Sequence, residues 1–356
     1  MFKPILRRSF LLASLGATPV HAAMQRRPLR FPRDHGAHPE VRTEWWYATG
    51  RVSSGERVFG FQVTFFRSRV DGTQAMQSRF AAKQLILAHA AVTDLQAKKL
   101  LHAQRLAREG FDVASADTSD TKLALRDWSL VRDAGATGSY SAKVVADDFA
   151  LHLQLRPTQA LLLQGDKGWS RKGPAAAQVS HYYSQPQLAA SGKLVVKEQS
   201  FEVSGQAWLD HEWSDALLHP DAVGWDWIGM NLQDGSALTA FRVRDKDGRA
   251  VWDGGSFRHP AMNGVPHIFS LGEVVFSPQR FWTSATTKAR YPVEWIVRTP
   301  ADFYSVRAVI DNQELNSSVT TGVIYWEGLS DLFDSNKRLV GRGYLEMTGY
   351  AKPLRL

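Results

Sequence analysis

The apolar residues of this chain recur in short runs of strand length, separated by turn residues, and this pattern restricts the fold more than any other feature. Short apolar or alternating runs that end at Gly, Pro, Asn or Asp are typical of β-strands. Such runs occupy residues 59–67, 143–146, 149–155 and 193–196, and later 228–243, 272–276, 293–297 and 304–310. Residues 245–248 (DKDG) suit a hairpin turn, and only residues 80–84 and 215–218 have brief helical character. The sequence predicts an all-β protein.

The first 22 residues predict an export signal and not part of the fold. Lys3, Arg7 and Arg8 precede a short apolar run at residues 10–17, and residues 20–22 (VHA) offer small side chains for cleavage. Twin arginines followed by Ser, Phe and Leu suit the twin-arginine export route. We expect a periplasmic or secreted protein. An amphipathic first helix is the alternative, although the apolar run is short for a core helix.

The remaining 334 of the 356 residues exceed what one hydrophobic core usually supports, so two domains are expected. A segment with Pro220 and Gly224 separates two regions that each open with tryptophans and a strand. This places an N-terminal domain at residues 23–218 and a C-terminal domain at residues 219–356.

Charge and composition exclude several classes of protein. Loss of the three basic signal residues lowers the formal net charge from +8 to +5, and no basic cluster suited to nucleic acid is present. The absence of cysteine excludes disulfides, a thiolate nucleophile and lipidation at a cysteine. No run after the signal approaches the roughly 18–20 apolar residues of a membrane span.

Three short windows combine tryptophan with carboxylates, namely residues 43–47 (TEWWY), 208–214 (WLDHEWS) and 224–227 (GWDW). They hold six of the 12 tryptophans. Aromatic walls around ionisable groups are typical of an apolar pocket with a few polar atoms.

These windows also carry a family resemblance. Residues 31–39 (FPRDHGAHP) leading into 42–47 (RTEWWY), together with 205–214 (GQAWLDHEWS), resemble the AttH and carotenoid 1,2-hydratase family of lipocalin-like proteins. The resemblance implies two consecutive lipocalin-like antiparallel β-barrel domains. It also implies relatives that hydrate long isoprenoid chains, relatives that shape cyclisations, and many known only as secreted hydrolases, so it indicates fold better than activity.

The resemblance points to three catalytic candidates, His211, Trp213 and Asp226. Hydration of an isolated alkene begins with its protonation, and a carboxylic acid kept neutral by apolar surroundings can donate that proton. We expect Asp226, between two tryptophans, to be the acid, with His211 orienting water and indole faces stabilising the cation. The family's hydratases have a tyrosine two residues before this acid, where Gly224 stands here. Packing of tryptophan and acid at a barrel end is the structural alternative.

Strand alternation would place His211 and Trp213 on one face of a strand and Asp210 and Glu212 on the other. If His211 and Trp213 line a cavity, Asp210 and Glu212 meet solvent or a neighbouring domain.

Glu44 has two interpretations. It is a second acid or ligand anchor at the pocket, or it forms an ion pair with Arg42 while the neighbouring aromatics pack the first barrel. The candidate ligand-binding residues are Glu44, Trp45, Tyr47, His181, Tyr182, Trp225 and Trp227.

The sequence lacks the motifs of several enzyme classes, and no cofactor or metal is expected. There is no Gly-x-Ser-x-Gly elbow, phosphate-binding glycine loop, dinucleotide fingerprint or His-Glu-x-x-His motif. Asp34, His35, His38 and Glu40 lie on an irregular loop near Gly36 and Pro39, where a hydrogen-bonded ordering loop is the alternative to metal binding.

Three functions remain open from the sequence. The first is a hydratase or hydrolase of an apolar substrate, and the second is a non-catalytic carrier of a lipid or isoprenoid. The family's association with ABC-transporter components would make these the carrier's partners. The third is the shaping of a reactive polyene in a contoured cavity.

Overall fold

The computed structural model describes residues 24–135, 137–216 and 218–354. The predicted export signal lies outside the described residues. Within them, 3₁₀ turns occur at Arg33–His35, Asp71–Thr73 and Pro260–Met262, and the rest of the regular structure is strand. None of these turns is long or apolar enough to cross a bilayer. The all-β prediction is confirmed, whereas the described residues of 80–84 and 215–218 are not helical.

The first sheet contains 13 strands and is antiparallel throughout. Its order is β4-β3-β2-β1-β13-β12-β9-β8-β7-β6-β5, with β10 and β11 paired to β12. The strands are β1 (Thr43–Ser54), β2 (Arg57–Arg69), β3 (Gln84–Asp94), β4 (Lys99–Arg108), β5 (Ala114–Ala116), β6 (Lys122–Leu125), β7 (Trp128–Arg132), β8 (Tyr140–Val145), β9 (Phe149–Arg156), β10 (Leu162–Leu163), β11 (Trp169–Arg171), β12 (Val179–Val196) and β13 (Gln199–Ser214).

The second sheet contains ten strands and is also antiparallel. Its order is β17-β16-β15-β14-β23-β22-β20-β19-β18, with β21 paired to β22. The strands are β14 (Ala222–Leu232), β15 (Ala237–Asp245), β16 (Ala250–Arg258), β17 (His267–Ile268), β18 (Val275–Thr283), β19 (Arg290–Arg298), β20 (Phe303–Ala308), β21 (Glu314–Ser317), β22 (Val323–Phe333) and β23 (Leu339–Met347).

Each sheet curls into a barrel or half-barrel, as the two-barrel prediction requires. The sheets divide between Ser214 and Ala222, and the predicted domain boundary falls in that connection. The hairpin at residues 245–248 joins β15 to β16. Two strand predictions were imprecise, because a turn splits 228–243 and only the last two residues of 272–276 are in a strand.

Alternation along each strand buries one face inside its barrel. The first interior is filled by residues such as Trp46, Phe65 and Leu209, and the second by residues such as Ile228 and Trp295. At roughly 25 cal/mol per Å² of apolar surface, this burial is the main favourable contribution to folding.

A third apolar cluster joins the two sheets. It includes Tyr47 and Trp208 of the first sheet, and Trp227, Phe241 and Tyr344 of the second. Packing is close here, since a Cβ on Gly229 would lie 2.3 Å from the Trp227 ring. The outer faces of the two sheets therefore meet, and the cavity described below lies between them.

Candidate functional site

The pairing of β1 with β13 sorts the tryptophan-rich windows onto two faces. Residues paired directly across an antiparallel ladder point to the same side of the sheet, and neighbours along a strand point to opposite sides. The barrel face carries Glu44, Trp46, His211 and Trp213, and the cavity face carries Trp45, Tyr47, Asp210 and Glu212. The predicted alternation is correct, but the acids and not the His–Trp pair lie on the side of the cavity.

On the barrel face, a buried histidine–carboxylate network closes one end of the first barrel. Glu44 Oε1 lies 2.7 Å from His38 Nδ1 and 2.9 Å from His211 Nε2, and Arg67 Nε donates to Glu44 Oε2 at 2.8 Å. His38 Nε2 lies 3.1 Å from Asp34 Oδ1. The loop that carries Asp34 and His38 is thus tied to the strands by side-chain hydrogen bonds.

The charges in this network complement one another. Burial alone would raise the pKa of Glu44, but hydrogen bonds from His211 and His38 and the charge of Arg67 hold it below its usual range. Burial opposes protonation of His38, but its bonds to Asp34 and Glu44 raise its pKa. Burial lowers the pKa of His211 to about 4, so this ring is neutral near pH 7.

Aromatic contacts complete the network. The His38 ring stacks on Trp213 with centroids 3.8 Å apart, an arrangement that favours the protonated ring. His211 stacks on Trp46 at 4.4 Å and lies 3.1 Å from the Tyr183 hydroxyl through Nδ1. His211 and Trp213 therefore face the barrel interior and are not among the residues that line the cavity, so their catalytic roles stay predictions.

The same network bears on the choice between metal binding and an ordering loop. Ligand atoms of His38, Glu44 and His211 lie within 4.8 Å of one another. These residues are hydrogen-bonded to one another, and Arg67 also pairs with Glu44. Glu40 is exposed and takes no part. The loop is thus ordered by hydrogen bonds, as in the ordering-loop alternative, and the absence of a metal stays a prediction.

Asp226 occupies the corresponding position inside the second barrel. Arg242 Nε donates to its Oδ2 at 2.7 Å, Arg244 Nε lies 3.5 Å away, and the Tyr350 hydroxyl donates to Oδ1 at 2.8 Å. Both carboxylate oxygens are thus engaged by neighbouring side chains. Asp226 also lies on the opposite face of β14 from Trp225 and Trp227 and is not among the residues that line the cavity, so its role as the proton donor stays a prediction.

A cavity of about 390 Å³ lies between the cavity faces of the two sheets. Its volume is within the range of small-molecule sites. The walls are mainly aromatic and aliphatic, with Trp45, Phe66, Leu87, Trp225, Trp227 and Phe241 among the lining residues. The cavity is built jointly by the two domains, a point that strand periodicity could not decide.

Four carboxyl groups line this apolar cavity, namely those of Asp210, Glu212, Glu327 and Glu346. Asp210 is the best satisfied, because Ser184, Trp208 and Tyr182 all donate to it at 2.5–3.0 Å. Burial raises its pKa to about 7 despite these bonds. Glu212 lies 2.9 Å from Lys172, whose ammonium also rests over the Tyr182 and Phe241 rings.

Glu327 and Glu346 are less well satisfied. They lie directly opposite each other on β22 and β23, on the cavity face. Gln62 Nε2 donates to Glu327 Oε2 at 2.8 Å. Glu327 Oε1 and the buried Tyr47 hydroxyl have no partner in regular hydrogen-bond geometry, although the two groups interact with each other. Burial and the neighbouring Glu346 raise the pKa of Glu327 well above its usual value. Burial raises that of Glu346 to about 7, with the acids nearby contributing.

The predicted ligand-binding residues divide accordingly. Trp45, Tyr47, Tyr182, Trp225 and Trp227 line the cavity. His181 faces the barrel side, packs on Trp213 and Trp169, and does not line it.

Glu44 contributes to the cavity wall, but its carboxylate belongs to the network. The alternative Arg42–Glu44 ion pair was wrong, because Arg67 takes this place and the Arg42 backbone N–H bonds to Asp215.

Sequence reasoning missed Glu327 and Glu346. Each is the one acid in a short, largely apolar stretch, at residues 323–329 (VIYWEGL) and 343–347 (GYLEM). Burying an acid in an apolar strand costs free energy unless the acid is paired. These two positions were therefore recognisable as candidate site residues, although they lie outside the three tryptophan-rich windows.

Comparisons with known proteins agree with this architecture. The AttH-like family model matches residues 22–350. A crystal structure of a Nitrosomonas europaea protein assigned to AttH is 42% identical, with a TM-score of 0.85, and the match covers 92% of this chain and 99% of that one.

Kievitone hydratase from Nectria haematococca is 13% identical with a TM-score of 0.67, over 91% of this chain and 94% of that one. CghA in complex with Sch210972 is 15% identical with a TM-score of 0.53, over 87% and 89%. These two likenesses concern the fold. No curated protein matched this chain.

The fold and the cavity define a two-barrel, lipocalin-like protein. Within that class, the length and identity of the matches show that the chain belongs to the AttH-like family.

Proposed function

We propose that this protein is a hydratase, which adds water to a carbon–carbon double bond of an apolar small molecule held in the cavity between the barrels. The observation that carries the proposal is the cavity itself, in which buried carboxyl groups with a raised pKa face aromatic walls. Perturbed acids in an apolar pocket mark candidate catalytic sites.

The chemistry requires what this cavity contains. An unactivated alkene must be protonated before water can attack, and a carboxylic acid that stays neutral near pH 7 can donate the proton. The resulting cation lies among indole faces, each of which stabilises a nearby cation by roughly 0.5–2 kcal/mol. Trp45, Trp225 and Trp227 provide such faces. An ester or ether hydrolase would use the same groups.

The relatives support the same reading. One solved neighbour is named a hydratase, and the family resemblance includes hydration of isoprenoid chains. The cavity volume favours a ligand shorter than a full carotenoid, so an acyclic isoprenoid of about 15–20 carbons is a suitable probe.

A test can use farnesol and geranylgeraniol as probes in water enriched in ¹⁸O. Incorporation of one ¹⁸O atom with the mass of one added water, dependent on the protein, supports hydration. Hydrolysis would instead require a cleaved product from an ester or ether probe. A protein that leaves every probe unchanged but carries a stoichiometric lipid on native mass spectrometry would contradict the enzyme.

That outcome would favour the second candidate, a non-catalytic carrier. The observation in its favour is the largely apolar lining, which suits a lipid or isoprenoid without any reaction. As a carrier, the protein would serve an envelope transport system, with ABC-transporter components as partners. Both candidates include export by the twin-arginine route to the periplasm or beyond. Detection of the mature N-terminus near residue 23 in a periplasmic fraction would test this part.

A further inference from the structure

We propose that Glu327 and Glu346 are the proton donor and acceptor of this site, a carboxyl pair that shares one proton and faces the bound ligand across from Tyr47. The inference rests on the proposed function and assigns its catalytic residues. Neither acid belongs to a window that the sequence resemblance emphasises.

The two acids are direct neighbours on adjacent strands. The two residues are directly paired across β22 and β23, where opposed Cβ atoms lie about 4.5–5.5 Å apart. Both side chains line the cavity, and two like charges so close cannot both persist away from water. One proton between the two groups removes this repulsion, as in other carboxyl pairs.

Polar atoms of Glu327 and Tyr47 are poorly hydrogen-bonded. Glu327 is only 3% exposed, and its Oε1 has no partner in regular hydrogen-bond geometry among the described residues. The same holds for the Tyr47 hydroxyl, 6% exposed, which interacts with Glu327. A poorly formed hydrogen bond between buried groups leaves part of their desolvation cost, roughly 1–3 kcal/mol each, uncompensated, and a ligand or a reacting water would supply better partners.

The other two cavity acids are committed elsewhere. Asp210 accepts three hydrogen bonds that hold Tyr182, Ser184 and Trp208 in place. Glu212 forms an ion pair with Lys172, although its Oε1 has no hydrogen bond of regular geometry. Both groups still act on the pair from a distance, because their charges raise the pKa of Glu346.

The remaining neighbours assign the roles within the pair. Gln62 donates to Glu327 Oε2, which leaves Oε1 to carry the proton into the cavity. Hydrogen bonding by Trp225 opposes the rise in the pKa of Glu346 and favours its carboxylate. Among the other titratable groups at this end, Tyr325 and Tyr344 have raised pKa values, and His89, bonded to Tyr325, has a pKa lowered to about 4 by burial.

The reaction balances with these groups alone. The Glu327 carboxylic acid transfers its proton to one alkene carbon, which forms a C–H bond and leaves a carbocation at the other. Water attacks that carbon through its oxygen, a C–O bond forms, and the water proton passes to the Glu346 carboxylate. Transfer of this proton from Glu346 to Glu327 restores the starting state, so the net change is the addition of one water.

The experiment compares Glu327→Gln and Glu346→Gln with Glu314→Gln as a matched control. Glu314 lies on β21 outside the cavity, where Ser284 and Thr287 donate to it. Difference infrared spectroscopy of the folded protein, from about pH 5 to pH 9, follows the C=O stretch of protonated carboxyl groups. We expect a band that titrates near neutral pH in the wild type and in Glu314→Gln, and that is changed or lost in both cavity variants.

A second readout follows turnover of the isoprenoid probes in ¹⁸O water. General acid–base catalysis contributes about 10²–10⁴-fold, so each cavity variant should incorporate at least ~100-fold less label at equal folded concentration. Circular dichroism confirms folding of every variant, and Glu327→Asp, which keeps the carboxyl group, should recover part of the activity.

The outcomes separate this inference from the function on which it rests. Absence of a neutral-pH carboxyl band, or a band unchanged in both cavity variants, overturns the pair whatever the activity. Equal turnover by the wild type and both variants overturns its catalytic role. If the wild type hydrates no probe while the band behaves as expected, the proposed function fails and the shared proton stands.

Discussion

The two faces of the strands β1 and β13 carry polar groups of opposite character. On the barrel face, Glu44 is surrounded by two histidines and an arginine, and its carboxylate oxygens are fully used. On the cavity face, Tyr47 and its neighbour Glu327 interact without a hydrogen bond of regular geometry. A fully hydrogen-bonded buried network stabilises the native fold. Buried polar atoms with poor hydrogen bonds lower the free energy of unfolding, and a bound ligand can supply the bonds that are missing. This contrast distinguishes structural from functional acids in a chain where both kinds lie beside tryptophan.

The largest effect is expected from Glu44→Ala, which breaks the histidine–carboxylate network. Arg67 and His38 would remain buried without their partner, and breaking a buried ion pair costs about 3–5 kcal/mol. Urea unfolding should show this loss in the free energy of unfolding. Glu40→Ala removes an exposed acid from the same loop and serves as control. Equal stability of the two variants would contradict a structural role for the network.

Asp226→Asn should show the next largest loss, about 2–3 kcal/mol, because Arg242 and Arg244 lose their buried counter-charge. Turnover per folded molecule should stay close to that of the wild type, since Asp226 faces the interior of the second barrel. Asp221→Asn, at a side chain 81% exposed, is the control for the substitution. A variant that folds normally but has lost turnover would restore Asp226 as a candidate acid.

Glu346→Gln should change stability in the opposite direction. The folded-state pKa of Glu346, about 7, exceeds the usual value of 4.5, so the folded protein holds this proton after the unfolded chain has released it. Wild-type stability from this group therefore falls as pH rises from about 4.5 to 7. The variant should be more stable than the wild type by about 3 kcal/mol at pH 8 and no more stable at pH 4. Thermal unfolding across this range gives the measurement.

The network provides the reference for that pH profile. The pKa of Glu44 is held below its usual range, so its contribution is present at neutral pH and is lost as acid protonates the carboxylate. Glu44→Gln should therefore flatten the acidic limb, while Glu346→Gln flattens the decline above pH 4.5. If both substitutions changed the same limb, the distinction between the two faces would be wrong.

The sequence predicted the fold and the residue types of the site, but not which strand faces line the cavity. Short strands were enough to predict an all-β fold, the family resemblance implied two barrels, and alternation correctly separated His211 from Asp210. Periodicity cannot tell which face of a strand lies inside a barrel, because that depends on partners far away in the chain. The loop residue His38, itself bonded to Asp34, forms a hydrogen bond with Glu44, and Arg242 forms one with Asp226. Glu327 and Glu346 become a pair only when β22 and β23 align.

The smallest effect is expected from removing one tyrosine hydroxyl from either face of the sheet. The Tyr183 hydroxyl on the barrel side lies 2.8 Å from His35 Nδ1 and 3.1 Å from His211 Nδ1, so Tyr183→Phe should lower the free energy of unfolding by about 1–2 kcal/mol. The Tyr47 hydroxyl has no bond of regular geometry and interacts only weakly with Glu327, so Tyr47→Phe should leave stability within about 0.5 kcal/mol of the wild type. Urea unfolding of the two variants side by side makes the comparison, and equal destabilisation would mean that the Tyr47–Glu327 interaction is as strong as the bonds of Tyr183. Because that hydroxyl faces the cavity, Tyr47→Phe should nevertheless reduce hydration of the isoprenoid probes, which Tyr183→Phe should not.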